Sequence, residues 1–122
     1  MIDNFHVLAV IPARGGSKGV SLKNLRHVGG VPIVEIAARI ANSVEFIDKV
    51  IVSTDHEGIA KAAINGGAEV PFMRPEELSG DRVSDLEVLT HSLLEMEKKD
   101  QINYDLIIML QPTSPLRTKE HI

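Results

Sequence analysis

Residues 11–24, IPARGGSKGVSLKN, set the cations Arg14, Lys18 and Lys23 among the glycines Gly15, Gly16 and Gly19. Glycines let the backbone turn closely around an anion, and successive amides with cationic side chains counter the negative charge of a triphosphate. Phosphate binding is the direct chemical inference. The spacing is not that of a Walker loop, G-x-x-x-x-G-K-[ST], nor of the dinucleotide fingerprint G-x-G-x-x-G. The competing reading is a basic surface loop without a ligand. It is disfavoured because such a loop need not follow a buried strand or combine glycines with three cations.

The position of this segment follows from the elements around it. Residues 7–11, VLAVI, form a continuous apolar run closed by Pro12, the pattern of a strand buried on both faces. The glycine-rich segment therefore lies beyond the carboxyl end of a central strand, where α/β sheets bind ligands. Residues 13–30 read as one long loop. Pro32 suits the first turn of a helix over 32–42, with Ile33, Ile36, Ala37, Ile40 and Ala41 recurring at helical spacing.

Further strands are expected at 49–53, 69–73 and 106–110. Thr54 with Glu57 matches a capping box for a helix that uses Ile59, Ala62 and Ala63 and ends at Gly66 and Gly67. Ser84 with Glu87 repeats that spacing ahead of a helix to about residue 98, marked by Leu86, Leu89, Leu93, Leu94 and Met96. Strands alternating with helices imply right-handed crossovers. The expected fold is a doubly wound α/β domain, a mostly parallel sheet with helices on both faces.

The 122 residues suffice for one core and not for two. Hydrophobic residues make up 43% and charged residues 25%, away from the composition of disordered chains. The absence of cysteine excludes disulfides and thiolate metal sites, and no apolar stretch approaches a membrane span. The cytoplasm is the expected compartment. A net charge of -4 argues against a broad polyanion surface, and so against nucleic acid, while leaving room for a local cationic pocket. Thr118 resembles a helix cap followed by about one turn, so the sequence reads as interrupted at its end.

At this point the chain resembles a known family, the acylneuraminate cytidylyltransferases. The family's first signature is similar to IPARGGSKGVSLKN, and its second to STD at 53–55. RPEELSGD at 74–81 and LQPTSPLRT at 110–118 resemble two further motifs, in the family's order and at about its spacing. The resemblance covers the whole chain and about half of a typical member. It implies a Rossmann-like nucleotidyltransferase fold of which residues 1–122 are the amino-terminal, nucleotide-binding part. It also implies transfer of CMP from CTP to an acid sugar such as N-acylneuraminate, with release of pyrophosphate.

By that resemblance Arg14 and Lys23 are the catalytic cations, stabilising charge on the α-phosphate and on the departing pyrophosphate, with Lys18 assisting. Gly15, Gly16 and Ser17 belong to the same nucleotide-binding loop. Asn24 and Arg74 match positions that bind the base or ribose, and Gln111 matches one beside the reacting substrates. From the residues alone Arg74, before Pro75, reads as an ordinary exposed loop arginine, and 111–115 as a proline-stiffened turn. Asp55, within a helix-start signal, reads as a cap rather than a catalytic acid or metal ligand.

The chain departs from the family at two places. Val83 and Asp85 stand where the family uses small hydroxyl or alanine-like residues, and a carboxylate near a triphosphate is repulsive unless it turns away or pairs with a cation such as Arg82. The aspartate pair D-x-D that holds magnesium in the family is absent, since no two aspartates here are separated by one residue. Magnesium is therefore expected to be bound outside these residues, as are the sugar pocket and the contacts of a homodimer. The piece alone is expected to be catalytically silent.

His6, His27, His56, His91 and His121 show no metal-ligand spacing and read as solvated, and no nucleophilic triad stands out. Two rivals remain: a transferase for another sugar acid, such as an octulosonate, legionaminate or pseudaminate, and a nucleotide-binding module without transfer chemistry.

Overall fold

A computed structural model describes residues 6–13, 27–28, 30–75, 84–101 and 103–111. The chain runs β1 (Val7–Pro12), β2 (His27–Val28), β3 (Val31–Pro32), α1 (Ile33–Asn42), β4 (Lys49–Ser53), α2 (Glu57–Asn65), α3 (Asp85–Asp100) and β5 (Leu106–Met109). Strands β4, β1 and β5 form one sheet in that order, and every pairing in it is parallel. Ala9 registers with Val50 on one side and with Ile108 on the other. The continuous apolar run at 7–11 thus lies in the middle of the sheet, with no residue of it exposed.

Alternation along the central strand assigns its side chains to two cores. Ala9, Ile11 and Ala13 join Val50, Val52, the α1 residues Val34, Ala38 and Ala41, and the α2 residues Ile59, Ala62 and Ala63. Leu8 and Val10 point the other way, toward Ile51 and Met96, with Leu89 and Leu93 of α3 alongside. Helices α1 and α2 therefore cover one face and α3 the other, which is the doubly wound arrangement expected.

Several local expectations are corrected. Residues 69–73 are not a strand: Glu69 makes a single parallel bridge to Ile51, donating to the Val50 carbonyl and accepting from the Val52 amide. The next ladder donor would be Pro71, which has no N–H, so pairing stops there. The segment read as loop contains β2, which pairs antiparallel with β3 just beyond it, and Gly30 between them has φ 83°. Pro32 closes that pairing and stands at the N-cap of α1 rather than within its first turn.

The buried stripe of α1 is Val34, Ala38 and Ala41, rotated from the expected one; Ile33, Ile36, Ala37 and Ile40 are only half-buried. In α3 the buried stripe is Val88, Ser92 and Met96, while Leu86 and Leu94 are exposed. Both shifts have one cause. In each helix the apolar arc is wider than the face it meets, so the sheet takes one side of that arc, and in α1 this brings Glu35 inward with Val34, Ala38 and Ala41.

Helix ends follow the sequence more closely. Ser84 and Glu87 form the expected capping box. At the end of α2, the Gly67 amide bonds to the Ile64 carbonyl and the Ala68 amide to the Ala63 carbonyl, with Gly67 at φ 95°. This is a Schellman motif, and it requires the positive φ that glycine supplies. The start of α2 differs from expectation. His56 is the cap, its Nδ1 accepting from Gly58 and Ile59 at 3.0 and 3.3 Å, while Thr54 Oγ1 accepts from the His56 amide. Asp55, read as a cap, therefore does not fill that position.

Candidate functional site

The carboxyl edge of the sheet collects the ends of all three parallel strands: Pro12 and Ala13 after β1, Ser53 and Thr54 after β4, and Leu110 and Gln111 after β5. Hydrogen bonds hold these ends together. The Ala13 amide donates to the Ser53 carbonyl at 2.9 Å, and the Leu110 amide to the Val10 carbonyl at 3.0 Å. Ala13, 1% exposed, is the residue directly before Arg14. The glycine-rich segment consequently leaves from the floor of this edge.

Arg74 enters the same edge from the other direction. It is 6% exposed, so the reading of an ordinary exposed loop arginine is overturned. Its Nε donates to Ser53 Oγ at 3.0 Å, its Nη2 donates to the Ser53 carbonyl at 2.8 Å, and its amide donates to the Thr54 carbonyl at 2.7 Å. A buried guanidinium is tolerated only when its donors are met, and Ser53 meets two of them with one side chain and one backbone oxygen. Ser53 and Thr54 are themselves wholly buried. The sequence offered them as a strand end, a capping candidate and part of the STD motif, and their spatial role comes from the twenty-one-residue return of the chain to Arg74.

Gln111 lies exposed at the tip beyond β5, its amide nitrogen 3.4 Å from the Met109 sulfur. Of the sequence candidates, Arg74 and Gln111 are thus brought to one sheet edge. Arg14, Gly15, Gly16, Ser17, Lys18, Lys23 and Asn24 lie outside the described residues, as do Arg82, Val83 and the motif residues beyond Gln111. Asp85 opens α3.

The opposite edge carries a separate polar network. Lys49 Nζ lies 3.2 Å from Asp100 Oδ2 and 3.4 Å from Glu69 Oε2, and the Tyr104 hydroxyl donates to the same Asp100 oxygen at 2.6 Å. The tyrosine bond, with Lys49 next, holds the Asp100 carboxyl below its ordinary range against the opposing effect of burial. Burial pulls the Lys49 ammonium down, but its two carboxylates together hold it above the usual lysine value. Burial, helped by Asp100, pushes the Tyr104 phenol well up. Asp48 accepts from the Val7 amide at 2.7 Å, and that bond lowers its carboxyl. These groups fasten the amino ends of the strands, away from the site.

Two of the histidines, His56 and His91, are not simply solvated, contrary to expectation. His56 caps α2, and His91 is half-buried with its ring edge-on to Phe72 at 5.0 Å. Among the described residues no group of three or more His, Cys, Asp and Glu is arranged to hold a metal ion. No described helix is long and apolar enough to cross a membrane.

A parallel sheet covered by helices on both faces, whose carboxyl edge gathers three strand ends and a buried arginine, is an α/β domain of the kind that binds ligands at that edge. The family described as Cytidylyltransferase matches residues 8–122, and the chain belongs to it. It is 37% identical over 116 residues to the CMP-N,N'-diacetyllegionaminic acid synthase of Legionella pneumophila, covering 95% of this chain and 50% of that protein. It is 38% identical over 116 residues to the N-acylneuraminate cytidylyltransferase of Escherichia coli, covering 95% of this chain and 26% of that one. Among solved structures it is similar to a CMP:2-keto-3-deoxy-manno-octonic acid synthetase complexed with CTP, with a TM-score of 0.70 and 28% identity. That match covers 94% of this chain and 43% of the other. The chain therefore spans half or less of the length of these relatives.

Proposed function

We propose that this chain is the nucleotide-binding part of an enzyme that transfers CMP from CTP to an acid sugar, an N-acylneuraminate or a related nonulosonate, and releases pyrophosphate. The observation that carries the proposal is the meeting of Ala13 and Arg74 on one acceptor, the Ser53 carbonyl. It joins the root of the cationic glycine-rich segment to the third motif at the edge where parallel sheets bind ligands. Family membership and the sugar-acid relatives support the same reading.

In this proposal Arg14 and Lys23 stabilise charge on the α-phosphate and on the departing pyrophosphate, with Lys18 assisting. Gly15, Gly16 and Ser17 offer backbone amides to the phosphates. Asn24 and Arg74 hold the base or ribose, and Gln111 borders the reacting groups. The acceptor hydroxyl attacks the α-phosphorus in line, one P–O bond forms as the bond to the β-phosphate oxygen breaks, the electron pair leaves with pyrophosphate, and the hydroxyl proton passes to solvent. Magnesium would screen the phosphates. The sequence holds no D-x-D pair for it, so we propose ligands outside residues 1–122 and route no step through the ion. The resemblance further supports a cytoplasmic homodimer as the complete protein, without nucleic acid or membrane partners.

The test is pyrophosphate release by the complete gene product with CTP, magnesium and a panel of nonulosonic and octulosonic acids. Release that requires CTP and one of these sugars is expected. No release with any of them rejects the transferase reading.

A further inference from the structure

We infer that Ser53 is a positioning residue for the nucleotide, acting through Arg74; this rests on the proposal that Arg74 holds the base or ribose of CTP. A guanidinium on a long side chain has many orientations, and its fork selects a ligand only when its plane is held. Here Ser53 takes two bonds from that plane. Ser53 Oγ accepts from Nε at 3.0 Å and the Ser53 carbonyl from Nη2 at 2.8 Å, so two nitrogens of the fork are tied to the last residue of β4. A third bond, from the Arg74 amide to the Thr54 carbonyl at 2.7 Å, fixes the root of the side chain to the same strand end.

The carbonyl that accepts from Nη2 also accepts from the Ala13 amide at 2.9 Å. Ser53 therefore sets the guanidinium relative to the start of the glycine-rich segment, not merely relative to its own strand. The residue has no exposed surface, so its hydroxyl has no water to bond in place of Arg74 and cannot itself reach a ligand. Its effect on substrate passes through the arginine. A purely structural serine would affect folding and all substrates alike, whereas this geometry confines the effect to the nucleotide.

The experiment is a double-mutant cycle on the complete gene product, reading CTP and sugar kinetics for Ser53→Ala, Arg74→Ala and the double variant. Ser53→Ala is expected to raise KM for CTP by roughly tenfold, the worth of one bond to a charged group, with kcat and KM for the sugar within about twofold, as loss of uniform binding requires. In the Arg74→Ala background the same change is expected to have no further effect on KM for CTP. Ser53→Thr, which keeps the hydroxyl, is expected to restore the wild-type value. Effects of Ser53→Ala that add in full to those of Arg74→Ala would overturn the inference. So would an equal rise in KM for both substrates. Should Ser53→Ala not fold, a Ser53→Cys variant with wild-type KM for CTP would overturn it, because a thiol is a poor acceptor for Nε. If Arg74→Ala alone leaves KM for CTP unchanged, the role given to Arg74 fails, and that result is distinct from failure of the Ser53 link.

Discussion

Tyr104 donates its hydroxyl proton to Asp100 across a 2.6 Å contact at the amino edge of the sheet, on the same carboxylate oxygen that faces Lys49. One carboxylate thereby ties the end of α3 to the start of β4 and to the turn before β5.

The pH dependence of stability follows from that arrangement. The Asp100 and Asp48 carboxyls lie below their ordinary values, so their contribution is complete above about pH 4 and is lost as pH falls through the lowered folded values. Lys49 and Tyr104 lie above theirs, so their contribution is complete below about pH 10 and is lost as pH rises through the raised folded values. Urea midpoints measured from pH 2 to 11 should form a plateau between these limits. Asp100→Asn should lower the plateau and weaken the acid limb, and Tyr104→Phe should cost about 1 to 2 kcal/mol at neutral pH.

Gly66 should be less replaceable than Gly30. A Cβ on Gly66 would stand 2.5 Å from the Glu35 carbonyl oxygen and 2.8 Å from the Ala38 Cβ, where α2 ends against α1. Gly66→Ala must push the two helices apart, at about 1 to 3 kcal/mol. Gly30, at φ 83°, has nothing within 4 Å of an added Cβ, so Gly30→Ala costs only the left-handed backbone term of about 1 to 2 kcal/mol. Chemical denaturation of both variants checks the difference.

His56 should matter as a helix cap. Because its Nδ1 accepts from two amides of the first turn of α2, His56→Ala should cost about 1 kcal/mol of stability, and His56→Asn should recover most of it. Thermal unfolding distinguishes the two variants.

At the proposed nucleotide site, Arg14→Ala should weaken CTP binding by about 1.5 to 3 kcal/mol, measured by titration calorimetry. Arg74→Lys should fall short of the wild type as well, since one ammonium cannot reproduce the paired Nε and Nη2 bonds to Ser53. A retained far-ultraviolet spectrum with CTP affinity reduced roughly tenfold is the expected outcome.

Local chemistry made much of this fold readable. The bounds of β4, the central place of β1 and the capping box at Ser84 all rest on neighbours within a few residues, where apolar runs and side-chain bonds to backbone act without help from the rest of the chain. Readings failed where two nearby signals competed. Thr54 carried the capping spacing, but the chain gives that place to His56 and leaves the threonine oxygen to the His56 amide. The apolar stretch near Val70 suggested a strand, and the missing N–H of Pro71 limits it to one bridge.

By itself, then, the amino-acid sequence determined that β1, β4 and β5 are strands and to which family the chain belongs. Only the tertiary structure decided which stripe of α1 and α3 faces inward and that Arg74 is buried against Ser53. Periodicity does not fix a helix's inward azimuth when its apolar arc is wider than the face it meets, and an arginine's burial depends on acceptors twenty-one residues away in the chain. Those acceptors come within reach only when the parallel sheet sets the strand ends side by side.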